Sequence, residues 1–105
     1  MDKVYGLVGL AKRAGKVVCG EMSVKDSIRF GKAYLVIIAQ DASDNTKKSV
    51  INSCKYYDVK HYIAGTKDEI GHALGNNFNA SICIIDKGFA KSIEKYLSLN
   101  TNGGE

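Results

Sequence analysis

The run Tyr34-Leu35-Val36-Ile37-Ile38-Ala39 constrains this chain more than any other stretch. It is continuously apolar, β-branched through its middle and too short for a typical helix. It therefore reads as a strand covered on both faces, since a strand with one wet face alternates polar and apolar residues. Such a strand needs a layer on each side. The rest of the sequence supplies five helical signals and three further strand signals in alternation, which predicts an α/β fold: a three-layer α-β-α sandwich with a central four-stranded mixed sheet and about five helices.

In chain order, Val4, Leu7, Val8 and Ala11 recur at helical spacing between Lys3 and Ala14, and Gly15 follows as a stop. Gly6 and Gly9 each cost this helix roughly 1 kcal/mol relative to alanine, so it depends on packing, and a close approach to another element is expected there. Lys16 to Cys19 reads as the first strand, and Met22 to Phe30 as a helix with Val24 and Ile28 inward, closed by Gly31. After the buried run, Gln40 to Asn45 form a polar turn ending in N-cap residues. Val50, Ile51, Cys54 and Tyr57 then mark the core face of a helix closed by Asp58. Lys60 to Ala64 is a short strand. Thr66-Lys67-Asp68-Glu69 matches a capping box, and the helix it opens buries Ile70, Ala73 and Leu74 and ends at Gly75. Ala80 to Ile85 gives the last strand, and Phe89, Ile93, Tyr96 and Leu97 the last helix face. Residues 1–97 read as one domain, and 98–105, without periodicity, as a disordered tail.

The strand-to-helix turn Gly20-Glu21-Met22-Ser23 is the candidate binding element. Unpaired N–H groups and the positive dipole end of a helix favour an anion there. The net charge of +4 lies entirely in residues 1–33, with seven basic residues against three acidic, whereas the other 72 balance at eight against eight. Lys16, Lys25 and Arg29 belong to this excess, which points to a polyanionic partner. The N-terminal apolar residues are interrupted by glycines and cations, and no apolar run approaches the ~20 residues of a membrane span, so a soluble, cytoplasmic protein with no membrane partner is expected.

Catalytic chemistry finds little support. Cys19, Cys54 and Cys83 have no C-x-x-C spacing and lie among apolar residues, as structural thiols do. His61 and His72 lack metal-ligand spacing with each other or with a cysteine. Gly9 to Val17 approaches a phosphate-binding loop but has Leu10 and Val17 where glycine and a hydroxyl are required, and it precedes a strand. Asp41, Ser43 and Asp86 sit at strand ends, where turn and capping roles suffice. The reading is of a non-enzyme with no metal and no cofactor.

Several separated motifs carry a family resemblance. Gly20-Glu21-Met22-Ser23-Val24, Gly31, Ala33, Leu35-Val36, Ala39 and Asp41 match in order and spacing a strand ending in Gly-x-Asn-Glu, a helix and an Ala-x-Leu-Val strand closed by Ala-x-Asp. Thr66 to Gly75 resembles the element that follows. This pattern is similar to the kink-turn RNA-binding ribosomal protein superfamily, which includes the Gadd branch. The segments Leu7 to Lys16, Asp41 to Lys48 and Asp86 to Ala90 resemble its bacterial YlxQ-like branch. The resemblance implies the same sandwich and an RNA-binding face made of three parts: the Gly20 turn, the Gln40 to Thr46 turn with Asp41, and the loop bearing Asn77 and Phe78.

In the family, an asparagine, a glutamate and a lysine of the second helix contact guanines. Here Met22, Ser23 and Asp26 stand at those positions. Met22 cannot form directed bonds to a base edge, Ser23 lacks the reach and Asp26 carries the wrong charge. The implied function is non-enzymatic binding of structured, kink-turn-like RNA, ribosomal or ribosome-associated, through backbone and shape contacts. Phe78 is placed either to stack on an extruded base or to face the core. The alternative is a protein interaction module working through helix faces. Neither pattern nor resemblance fixes an oligomeric state.

Overall fold

The computed structural model describes residues 1–102. Five helices, α1 (Asp2–Arg13), α2 (Glu21–Arg29), α3 (Asp44–Tyr56), α4 (Lys67–Leu74) and α5 (Lys87–Asn102), alternate with β1 (Val17–Cys19), β2 (Leu35–Ile38), β3 (His61–Ile63) and β4 (Ser81–Ile84). The sheet order is β1-β4-β2-β3. β4 runs antiparallel to both β1 and β2, while β2 and β3 are parallel. The apolar run is therefore interior, and every residue of β2 and of β4 is buried, so both faces of the sheet centre are covered. α1 packs with α4 and α5, and α2 with α3, giving the two helical layers.

Side-chain burial explains elements that are weak alone. A nine-residue helix is marginal in water. α2 holds because Val24 and Ile28 are fully buried, each worth roughly 1.5–3 kcal/mol of transfer free energy. In α1, Val4, Val8 and Ala11 face the core, and Gly9 sits where a Cβ would come within 3.2 Å of the Ala73 carbonyl, the expected close approach of α1 to α4. Gly6 faces open space and serves no such contact.

Three expectations need correction. Tyr34 lies outside β2 and is half exposed, although its N–H still donates to the Ile84 carbonyl. Tyr57 is not a core residue of α3: it is the C-cap, just before Asp58 turns the chain with a φ of 57°, and is 42% exposed. Residues 98–102 of the expected tail are helical, because α5 continues to Asn102. Ser98 Oγ lies 3.0 Å from the Tyr62 hydroxyl, which holds the helix against the sheet edge. Residues 103–105 of that expected tail lie outside the described residues.

Candidate nucleic-acid interface

The strand register gathers the candidate turns. Cys19 of β1 lies beside Ile82, and Ile38 of β2 sits between Ser81 and Ile63, so three strands end where β4 begins. Hydrogen bonds fasten the four connections at this end. The Gly20 N–H donates to the Ser81 carbonyl (3.2 Å), Ala39 N–H to the Ala80 carbonyl (2.8 Å) and Gln40 N–H to the Gly65 carbonyl (2.8 Å). The loop between α4 and β4 is drawn in by Asn79 N–H donating to the Lys67 carbonyl at 3.1 Å.

Three helices start here and are finished differently. In α3, Ser43 Oγ accepts from the Thr46 N–H at 3.1 Å, and the Thr46 hydroxyl donates to Glu21 Oε1 at 3.0 Å, tying α3 to α2. α4 is closed twice. Thr66 and Glu69 form the capping box, and Asp41 Oδ1 accepts the Lys67 N–H at 2.8 Å. Glu69 Oε1 also accepts from the Tyr5 hydroxyl at 2.8 Å. That bond, helped by the Thr66 contacts, holds the Glu69 carboxyl below its ordinary pKa, while burial first and the same bond second raise that of Tyr5. α2 begins at Gly20, which has no side chain to offer, so the N–H groups of Glu21, Met22 and Ser23 carry no side-chain cap. Gly20 has φ 92° and ψ 146°, a region essentially reserved for glycine, so the open end and the residue identity go together.

At this end of the sheet, Met22 is 77% exposed and Phe78 62% exposed. Phe78 thus faces solvent rather than the core, with Lys67 Nζ 5.9 Å from its ring centroid. The loop backbone of Asn77 and Phe78 lies directly on Gly71: a Cβ there would stand 2.6 Å from the Phe78 nitrogen. Gly71 is the notch that holds the aromatic ring out.

The structure does not bring all the expected residues together. Gly20, Glu21, Met22, Ser23, Asp41, Asn77 and Phe78 belong to the turn end. Asp41, however, is occupied in holding α4. Lys25 points to α3, donating to Ser49 Oγ at 2.8 Å. Lys16 precedes β1 at the opposite end, about 13 Å of extended chain from Gly20. Arg29 closes α2 about 12 Å from Glu21, paired with Asp26 at 3.2 Å. The basic residues that bracket the turn in sequence are therefore spread along its flanking elements. Lys67 was missed, although the capping box already placed it at a helix start on this end.

The open α2 start presents backbone N–H donors, and Phe78 an exposed ring. The Cys54 and Cys83 thiols are pushed up to about 11 and about 12, in both mainly by burial, and Cys19 is raised by burial despite nearby Lys12. Such thiols pack as small hydrophobes and are poor nucleophiles. Among the described residues no three His, Cys, Asp or Glu side chains gather as a metal site, and no helix is long and apolar enough to cross a membrane.

The sequence model of the ribosomal protein L7Ae/L30e/S12e/Gadd45 family matches residues 2–94. The chain is 38% identical over 89 residues to the RNA-binding protein YlxQ of Bacillus subtilis, covering 85% of this chain and 89% of the relative. It is 39% identical to the YlxQ protein of Enterococcus faecium, covering 91% and 92%. The large ribosomal subunit protein eL8 of Thermoplasma volcanium is 33% identical, covering 93% and 80%. Among solved structures, a protein of unknown function from Bacillus halodurans superposes with a TM-score of 0.86 at 31% identity, covering 89% of this chain and 94% of that one.

Proposed function

Because the chain belongs to the ribosomal protein L7Ae/L30e/S12e/Gadd45 family, we propose that it is a cytoplasmic, non-enzymatic RNA-binding protein of the ribosome or its assembly, docking structured, kink-turn-like RNA on the turn end of the sheet. Residues 1–97 act as the RNA-binding unit. The names of the YlxQ relatives support the RNA reading. The observation that carries the location is the uncapped start of α2, at the end of the sheet that also bears exposed Phe78. Backbone N–H groups of Glu21, Met22 and Ser23 receive phosphate oxygens at the positive end of the helix dipole, and Phe78 stacks on an unpaired base. Lys25 and Lys67 add positive charge, and Asp41 keeps α4 and its loop in position. Lys16 and Arg29 stand off this surface.

The test compares a kink-turn RNA with a control lacking its sheared pairs, titrated with the purified protein at several salt concentrations. Binding of the kink-turn is expected to weaken steeply with salt, each phosphate contact adding roughly 0.7–0.9 to the slope of log affinity against log salt. Because Met22 and Ser23 replace base-reading side chains, the preference over the control is expected to be small and to grow in Met22→Asn, Ser23→Glu. Failure of the parent to bind either RNA at low salt rejects the reading.

A further inference from the structure

Outside the turn end, the most developed surface is the groove between α2 and α3. These helices start at the same end of the sheet and run side by side. Two adjoining clefts of about 420 and 310 Å³ follow the seam and share Lys25, Ser53 and Tyr57. The groove opens at Met22, beside the uncapped α2 terminus, and passes Lys25 and Arg29 toward the Tyr56–Tyr57 pair. Tyr56 is 80% exposed, and its ring meets that of Tyr57 edge-on at 4.8 Å and 75°, so an aromatic pair is held in the open without being used by the core. At the same end the Arg29 guanidinium lies 4.8 Å from the centroid of exposed Phe30.

We propose that this groove carries a single-stranded extension of the RNA whose folded part sits on the turn end. The inference rests on the RNA-binding reading and extends it to an element that reading does not use. Cations along the seam, hydroxyl and amide groups of Ser49 and Asn52 on α3 and exposed rings at the exit are what a single strand requires: charge for the backbone, hydrogen bonds for sugar or phosphate, and flat faces for bases. The carboxylate within the groove, Asp26, is paired with Arg29 at 3.2 Å, so these two charges offset and Lys25 leaves the seam net positive. A protein partner is the poorer fit, because most of the side chains lining the clefts are charged or hydrogen-bonding rather than aliphatic. The path is continuous with the turn end through Met22, so a strand leaving the folded RNA meets the groove directly. It also gives Arg29 a role that its distance from the turn denies it there.

The experiment measures anisotropy of three labelled probes: a blunt kink-turn stem, and the same stem with a short adenosine extension at its 5′ or its 3′ end. The extension at one end is expected to tighten binding about tenfold, in line with stacking of one base on an aromatic side chain. Tyr56→Ala combined with Tyr57→Ala removes that gain and leaves binding of the blunt stem unchanged, while Tyr56→Phe with Tyr57→Phe retains it. A blunt stem that binds while neither extension adds affinity overturns the proposal, as does a gain that survives loss of both rings. Absence of binding to the blunt stem counts against the turn end instead, and a ring-dependent gain from the extension would still support the groove. Self-association of the protein that disappears with the two rings would assign the surface to a second copy of the chain and overturn the proposal.

Discussion

The starts of α2 and α4 lie at the same end of the same sheet, yet one is open and the other is closed twice over. Thr66, Glu69 and Asp41 satisfy the first N–H groups of α4, and Tyr5 braces the glutamate from α1. α2 starts at Gly20 with no cap at all. The contrast is not one of stability against instability. A glycine N-cap costs only a few tenths of a kcal/mol relative to serine or threonine, because water reaches the free N–H groups. An uncapped terminus thus remains available to a ligand at little cost to the fold, while the neighbouring terminus is consumed in holding the loop that frames it.

The strongest way to break this arrangement is Gly71→Ala. The new Cβ meets the backbone of Phe78 and Asn77, which cannot swing aside as a side-chain tip would. We expect a loss of about 3 kcal/mol, the upper range for overpacking, read as a lower melting temperature, together with weaker RNA binding as Phe78 is displaced. Gly20→Ala attacks the open side. Nothing lies within 4 Å of the added Cβ, so the cost is the backbone conformation alone, about 2 kcal/mol, and chemical denaturation measures it.

Thr66→Ala sharpens the comparison, because it should cost about 1 kcal/mol of stability while leaving RNA affinity unchanged. If it weakened RNA binding as much as Gly20→Ala at matched folded fraction, the two termini would not differ in role. The smallest effect concerns acid. Glu69 has its folded pKa lowered below the ordinary 4.5, chiefly by the Tyr5 hydroxyl. Its contribution is therefore present in full above the unfolded value and lost as pH falls through the folded one. Melting temperatures measured from pH 6 to about pH 3 should fall less steeply in Glu69→Gln, which keeps the capping geometry without the titrating group.

Much of this was legible locally. The Tyr34 to Ala39 run announced an interior strand because continuous burial leaves a compositional mark, and Thr66 to Glu69 announced a helix start because a capping box is complete within four residues. What escaped the sequence depends on distance through the fold. Lys16 and Arg29 look like neighbours of Gly20 in a list of residues, but a strand and a helix carry them to the far end. Gly71 reads as one more helical glycine until the loop is seen lying on it. Tyr57 has the spacing of a core residue and fails to be one because the helix ends beneath it. The candidate site was therefore half legible: the turns could be named, but the charges around them could not be placed.

The position of β4 also governs when the protein becomes competent. β1 and β2 are consecutive in the chain, yet they never touch as strands, because the last strand lies between them. A growing polypeptide that has not yet delivered Ser81 to Ile84 has no strand joining β1 to β2, and the Gly20 N–H has no Ser81 carbonyl to fix it. Since chains fold as they are synthesised, the end proposed to face RNA is completed late, after its earliest residues have waited for the final strand. A truncated or stalled product would carry the turn sequences without the sheet that gathers them.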